Sequence, residues 1–256
     1  MNLLETTIRA ELPVRGVQGL VTTRMGGVST GAWGALDGTG GLNLGLGSGD
    51  AFESVRANRE RLAALLPQPP TWLRQVHGTT VVDAESPAEA SEADASTSIT
   101  PGTVCAVLVA DCMPVLLASH DGRGVGAAHA GWRGLAGGVI QNTVRALRAR
   151  LGEPEAPLAA FLGPAIGPTR FEVGPEVLEA MRARLPDAAR AFRGIGHGKY
   201  LADLFALGRM ALAQAGVHDV RGGDRCTFDE PTCFYSYRRD RMTGRTAALV
   251  WIDPPP

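Results

Sequence analysis

Cysteine and histidine are scarce in this 256-residue chain, with four of the first (positions 105, 112, 226 and 233) and five of the second. Four irregularly spaced cysteines exclude a disulfide-stapled secreted scaffold and suit a reduced, cytoplasmic protein. Charge of one sign is also lacking. Twenty-five basic against 26 acidic residues leave a net charge of −1, so neither nucleic acid nor an anionic membrane surface is expected as a partner. No apolar run approaches the roughly 18 residues that a membrane-spanning helix needs. The opening MNLLETTIRAELPV has neither the basic nor the apolar region of a signal peptide. No repeat of solenoid period is present.

What the chain does have is apolar bulk, 45% of residues, and 33 glycines. That supports a full core with many tight turns and no covalent staples. No linker-like break in composition divides it, so residues 1–256 are expected to form a single domain. Strand-like runs are expected at 20–24, 71–77, 80–84, 104–110, 114–119, 124–130, 158–162 and 246–253. Helices are expected at 51–66, 134–151, 175–185 and 200–215. Asp50 and Glu53 form a D-x-x-E capping box ahead of the first helix. The adjacent short strands (71–77 with 80–84, and 104–110 with 114–119) suggest antiparallel neighbours in a mixed sheet. The expected fold is α/β (α+β), a layered α/β sandwich whose mixed β-sheet is covered by helices. The polar run 85–100 reads as a solvated loop.

Chemistry concentrates between Val104 and Gly134. Asp111-Cys112 interrupts two apolar runs, and His129 stands where a third meets Gly-Trp-Arg-Gly. His77 ends an earlier strand-like segment before a glycine. One thiolate and two imidazoles from separate strand ends form a plausible three-ligand zinc set with an open fourth position. The competing readings are a buried core cysteine with solvated histidines, or a thiol enzyme with Cys112 as nucleophile and His129 as base. That second alternative would be a cysteine hydrolase or transamidase. Asp111 is a candidate carboxylate for orienting a ligating histidine. Arg238, Arg239 and Arg245 cluster near the C-terminus, where guanidinium forks suit phosphate or carboxylate. The long glycine-rich segment after Arg24 offers Arg24 and Asn43 to a pocket rim. RGIGHGK (193–199) lacks the spacing of a phosphate loop.

VTTRMGGVS (21–29), LNLG (42–45), RQVHG (74–78), EADA (92–95), ADCMPVLL (110–117) and AAHAGWRG (127–134) together carry a family resemblance. GPAIGP (163–168), FEVG (171–174) and CT…CFYSYRRD…TGR (226–245) extend it over nearly the whole chain. The chain resembles the laccase-domain, multicopper-polyphenol-oxidase-like YfiH family, whose members are regarded as purine nucleoside phosphorylases. The resemblance implies that His77, Cys112 and His129 bind a catalytic metal, normally zinc, and serve as the catalytic residues. It also implies a site near Arg24, Gln75 and Asn43 where purine nucleoside and phosphate meet. The implied reaction is phosphorolysis of adenosine, inosine or methylthioadenosine to free base and the sugar 1-phosphate, with adenosine deamination as a further activity. Arg24 and Arg245 are the candidates for reaching phosphate, and a monomer or weak homo-oligomer is expected. The sequence departs from the family pattern at Thr169-Arg170-Phe171, where many members carry Cys-Cys-Tyr, and at Gly41, a common Ser. The older laccase label finds little support: five histidines with no His-X-His pair do not build multicopper centres. Two histidines and a cysteine could still bind copper, which outranks zinc in affinity.

Overall fold

The computed structural model describes residues 3–86 and 92–255. In chain order its principal strands are β1 (Val17–Val21), β2 (Val81–Asp83), β3 (Ala95–Ser98), β4 (Cys105–Val109) and β5 (Met113–Ser119). β6 (Val125–Ala130), β7 (Leu158–Leu162), β8 (Asp219–Gly222) and β9 (Thr246–Ile252) follow. The helices that cover them are α1 (Phe52–Ala63), α2 (Trp132–Gly137), α3 (Val139–Leu151), α4 (Pro175–Arg184) and α5 (Leu204–Gln214). Six strands form a mixed sheet in the order β8-β7-β5-β6-β3-β2, parallel at its two outer pairs and antiparallel between. A second, antiparallel sheet runs Ile8–Arg9, β1, β9, β4.

Strand alternation explains how these sheets stack. Successive side chains on a strand point to opposite faces. On β9, Ala248 and Val250 meet Cys105, Val107, Leu116 and Phe161 between the two sheets. Ala247, Leu249 and Trp251 face the other way, onto Leu42, Leu44 and Leu62 of the layer that carries α1. On β5, Leu116 and Ala118 face inward between the sheets, while Met113, Val115 and Leu117 face the layer of α3, α4 and α5. The result is a four-layer sandwich of helix, sheet, sheet and helices, so the expected α/β class and layering hold.

Several local expectations do not. The segments 104–110 and 114–119 are not hairpin partners: β4 and β5 belong to different sheets, and Asp111-Cys112 is the crossing between them. Residues 71–77 form isolated bridges, Thr71 to Cys105 and Arg74 to Glu92, instead of a strand beside 80–84. The run 85–100, expected as a solvated loop, contains β3, buried at every position; residues 87–91 of it lie outside the described residues. The helix expected over 134–151 is two helices, broken where Gly138 adopts φ 97°. Lys199–Ala202 is a strand ahead of α5, pairing with 192–196 and 172–173 in a small separate sheet. The capping box is absent: Ala51 is the cap residue of α1, and Asp50 instead accepts from Ser29 and Asn43. Among the described residues no helix is long and apolar enough to cross a membrane.

Candidate metal centre

Pairing register brings the site together. β3 and β6 pair with Ala95 opposite Ala128, so Asp94 falls opposite His129, whose amide donates to the Asp94 carbonyl at 2.7 Å. β5 and β6 pair with Met113 opposite Ala130, which brings Cys112, one residue earlier, beyond the end of the same pair of strands. His77 arrives from a turn with φ 60°, a left-handed conformation that needs external support in a non-glycine residue.

Asp94 supplies that support. Its side chain is fully buried. Oδ1 accepts from the His77 amide (3.0 Å) and from His129 Nδ1 (2.7 Å). Oδ2 accepts from the amides of Val76 (3.1 Å) and Gly78 (2.6 Å). One carboxylate therefore fixes both the His77 turn and the His129 ring. Burial alone would raise its pKa, but the bonds from His129 and from the Gly78 and Val76 amides hold it below the usual carboxylate range.

With Nδ1 committed to Asp94, His129 turns Nε2 toward Cys112 and His77. Cys112 Sγ lies 3.8 Å from His77 Nε2, and the two imidazole rings stand 4.8 Å apart at 68°. One donor atom from each of the three residues falls within 4.8 Å of the others. Tetrahedral zinc with ordinary Zn–S and Zn–N bonds sets sulfur and nitrogen about 3.6 Å apart, so this donor set fits such an ion. His129 is buried, Cys112 half-buried and His77 exposed, which leaves an open side for substrate. Gly131 makes the closeness achievable: a Cβ there would stand 2.8 Å from Cys112 Sγ and 3.1 Å from His77 Cδ2.

The three side chains of the cluster act on one another's charge states. Burial would raise the Cys112 thiol, but the His129 and His77 imidazoles outweigh it and bring the thiol down to about 6. Burial would likewise lower His129, yet the Cys112 thiolate and Asp94 push it up to about 9. Between those values the pair is a thiolate and an imidazolium, the state that a metal cation would displace by releasing a proton.

Asp111 lies elsewhere than expected. It faces neither histidine: Oδ1 accepts from Thr227 Oγ1 and Oδ2 from the Arg238 amide, each at 2.6 Å. Its φ of 88° turns the chain from one sheet to the other, and its carbonyl accepts from Ile166 N at 2.9 Å. It thus pins the backbone that carries Cys112. The carboxylate in contact with a histidine of the cluster is Asp94, inside the EADA motif; its signal was an acidic residue leading a run of small side chains.

The residues expected at a substrate pocket divide sharply. Arg24 is buried, its Nε and Nη2 on the Gly34 carbonyl and its Nη1 on that of Pro231, with the guanidinium 4.8 Å above the Tyr235 ring. It braces the glycine-rich segment and is not at a rim. Asn43 is also buried, and spends Nδ2 on Ser48 and Asp50 and Oδ1 on the amides of Gly45 and Arg245. Gln75 clasps the Leu108 backbone with both ends of its amide. Arg245 alone of the four keeps part of its guanidinium free of protein acceptors among the described residues. Arg238 and Arg239 bond backbone carbonyls, on Glu172 and on Thr227, Phe228 and Phe234.

A layered mixed-sheet protein with a histidine–cysteine–histidine cluster built from two strand ends and a turn is the class that fold and site define. The chain belongs to the family described as multi-copper polyphenol oxidoreductase laccase, which matches residues 18–253. It is 50% identical over 242 residues to the Escherichia coli protein named purine nucleoside phosphorylase YfiH, covering 93% of this chain and 95% of that one. A Pseudomonas aeruginosa purine nucleoside phosphorylase is 46% identical over 237 residues, covering 92% and 93%. A crystal structure of a Neisseria meningitidis protein superposes with a TM-score of 0.89 at 47% identity, covering 97% of this chain and all of that one.

Two outcomes test the cluster. Asp94→Asn keeps the shape but reverses one set of bonds, and lowers zinc affinity by about 10- to 100-fold in equilibrium titration. It also removes an acid-side dependence of stability. A carboxylate depressed in the folded state contributes above its unfolded pKa of about 3.9, and that contribution is lost as pH falls through the folded value. The wild-type Tm should therefore fall more steeply below pH 4 than the variant's. Separately, iodoacetamide labelling of Cys112 in chelator-treated protein should show a midpoint near pH 6, and His129→Ala should move it toward the ordinary thiol range. Labelling that begins only above pH 8 in the wild type would contradict the coupled pair.

Proposed function

We propose that this protein is a zinc-dependent purine nucleoside phosphorylase whose metal is held by His77, Cys112 and His129. The observation that carries the reading is the convergence of these three donors, with both histidines held by one carboxylate, in a chain half identical to a named purine nucleoside phosphorylase. The substrates are adenosine and inosine, with methylthioadenosine and adenosine deamination as finer extensions of the same site. Copper fits the donor set as an alternative ion.

In phosphorolysis a phosphate oxygen bonds to the anomeric carbon as the bond from that carbon to the purine nitrogen breaks. The electron pair of the broken bond leaves with the purine, which takes up the proton that the attacking hydrogen phosphate gives up. When bound, the ion would supply Lewis-acid polarisation. The protein's own part is placement and charge. Asp94 keeps His129 in one tautomer and one orientation, and the exposed His77 borders the side from which substrate enters. Cys112, held as thiolate, brings negative charge close to developing cationic sugar character.

The Nδ1 contact to Asp94 also supports a second reading, since Cys112, His129 and Asp94 lie in the order of a thiol nucleophile, its base and an orienting acid. His77 separates the two. In the phosphorylase reading His77→Ala loses bound zinc, measured by elemental analysis, and inosine phosphorolysis falls by at least about 100-fold. In the thiol reading the same variant keeps its reactive Cys112 and its turnover. A His77→Ala protein with full zinc and full activity would overturn the proposed site.

A further inference from the structure

A cleft of about 340 Å³ opens between α1 and the segment 69–72. Its walls are apolar, formed by Leu46, Phe52, Ala63, Pro69, Pro70 and Trp72, and none of these belongs to the metal cluster. Leu46 and Phe52 are 49% and 62% exposed. Both walls are fixed from behind. Val55 and Leu62 of α1 are fully buried. The facing segment is tied down at Thr71, whose amide donates to the Val104 carbonyl at 3.1 Å and whose hydroxyl donates to that of Ala84 at 2.9 Å.

Three charged residues also line the cleft: Arg56, Arg59 and Glu60. Arg56 is neutralised along the exposed helix face, paired with Glu53 at 2.7 Å and Glu60 at 2.8 Å. Arg59 is half-buried and has no carboxylate partner among the described residues. Its Nε donates to the Leu44 carbonyl at 2.9 Å, and its guanidinium carbon lies 4.3 Å from the centre of the Trp72 ring. Those two contacts hold the group in one orientation. Nη1 and Nη2 meet no protein acceptor among the described residues, and neither is sealed from solvent. The aromatic face offsets part of the cost of setting a cation among apolar walls; a counter-charge would offset the rest. Two guanidinium N–H groups side by side match both oxygens of a carboxylate.

We propose that this cleft binds a small monocarboxylate with an apolar body, its carboxylate on Arg59 Nη1 and Nη2 and its body against Leu46, Phe52 and Pro69. The volume lies at the low end of the roughly 300–1,000 Å³ of small-molecule sites, which suits one ring or a short acyl chain. The apolar walls offer no donors to the further oxygens of a phosphate, and Glu60 on the same cleft disfavours a dianion. The site does not depend on the reaction proposed for the His77–Cys112–His129 cluster.

The test titrates full-length protein with phenylacetate at constant ionic strength and follows the ligand by NMR. Phenylacetate should bind saturably. Phenylacetamide, which keeps the ring without the charge, should bind at least about 10-fold more weakly. Acetate, which keeps the charge without the ring, should also lose at least about 10-fold. Arg59→Met should weaken phenylacetate about 10-fold or more. Phe52→Ser alters an exposed position in the first turn of α1, so the fold is kept, and should weaken it about fivefold. Hexanoate in place of phenylacetate distinguishes an acyl chain from a ring, and its binding should show the same dependence on Arg59. Absence of saturable binding by both carboxylates overturns the site. So does equal affinity in wild type, Arg59→Met and Phe52→Ser, or equal affinity for phenylacetate and its amide. Phenylacetate that is displaced by inosine lies at the nucleoside site instead, which overturns this proposal and leaves the phosphorylase reading standing. Phenylacetate binding that depends on Arg59 in a protein that turns over no purine nucleoside supports the cleft and removes only the phosphorylase reading.

Discussion

The Asp94 carboxylate accepts four hydrogen bonds from two elements, the turn at 76–78 and the end of β6. Hydrogen bonds to a charged group contribute about 1.5–3 kcal/mol each when buried. That total exceeds the cost of holding His77 at φ 60°, which is on the order of 1–3 kcal/mol. The strained turn persists because the carboxylate binds all three of its amides. The same atom that holds the His77 amide also holds the His129 ring, so the relative placement of the two histidines is fixed by a single group. Removing it would release both at once, which is why its loss is not equivalent to the loss of one ligand.

A parallel arrangement positions the cysteine. Asp111 turns the chain between the two sheets at φ 88°, and its side chain and carbonyl are held by Thr227, Arg238 and Ile166. The C-terminal segment that supplies Arg238 continues into the Thr243–Arg245 turn, and β9 then pairs with β4 so that Thr246 lies opposite Val109. The backbone before Cys112 and the turn bearing Arg245 are therefore fixed to each other by a ladder. Small residues complete the geometry: Gly131 leaves room for sulfur, and Gly134 lets α2 approach the carbonyl of Gly78, where a Cβ would stand at 2.9 Å.

The layering and the three donors were legible from the chain because they follow alternation and chemistry. The runs 114–119 and 246–253 read as strands, and Cys112 and His129 interrupt apolar runs where a core has no use for them. The site's organiser was not legible. Ala95–Ser98 has no large or branched aliphatic residue, so it reads as loop, yet it is buried between two partner strands whose contacts supply what its own side chains lack. Arg24, Asn43 and Gln75 show what a sequence leaves out. Polar residues near a site suggest substrate contact, but each spends its donors and acceptors on the protein, chiefly on backbone groups that the glycine-rich segment and the edge of β4 leave unpaired. Sequence shows that such groups are polar and not which partners they have already taken. Adjacent runs 104–110 and 114–119 suggested antiparallel neighbours for the same reason: proximity in the chain is visible, and the crossing from one sheet to the other at Asp111-Cys112 is not.

The account stands on one ion bound by all three donors, Cys112 and His129 at strand ends and His77 on its turn. Crystals grown without chelator, with diffraction recorded on both sides of the zinc absorption edge, measure this directly. The account predicts a single anomalous peak within bonding distance of Cys112 Sγ, His77 Nε2 and His129 Nε2, with His129 Nδ1 still on Asp94. No peak in zinc-supplemented crystals, or an ion that leaves any of the three donors unbound, would contradict it.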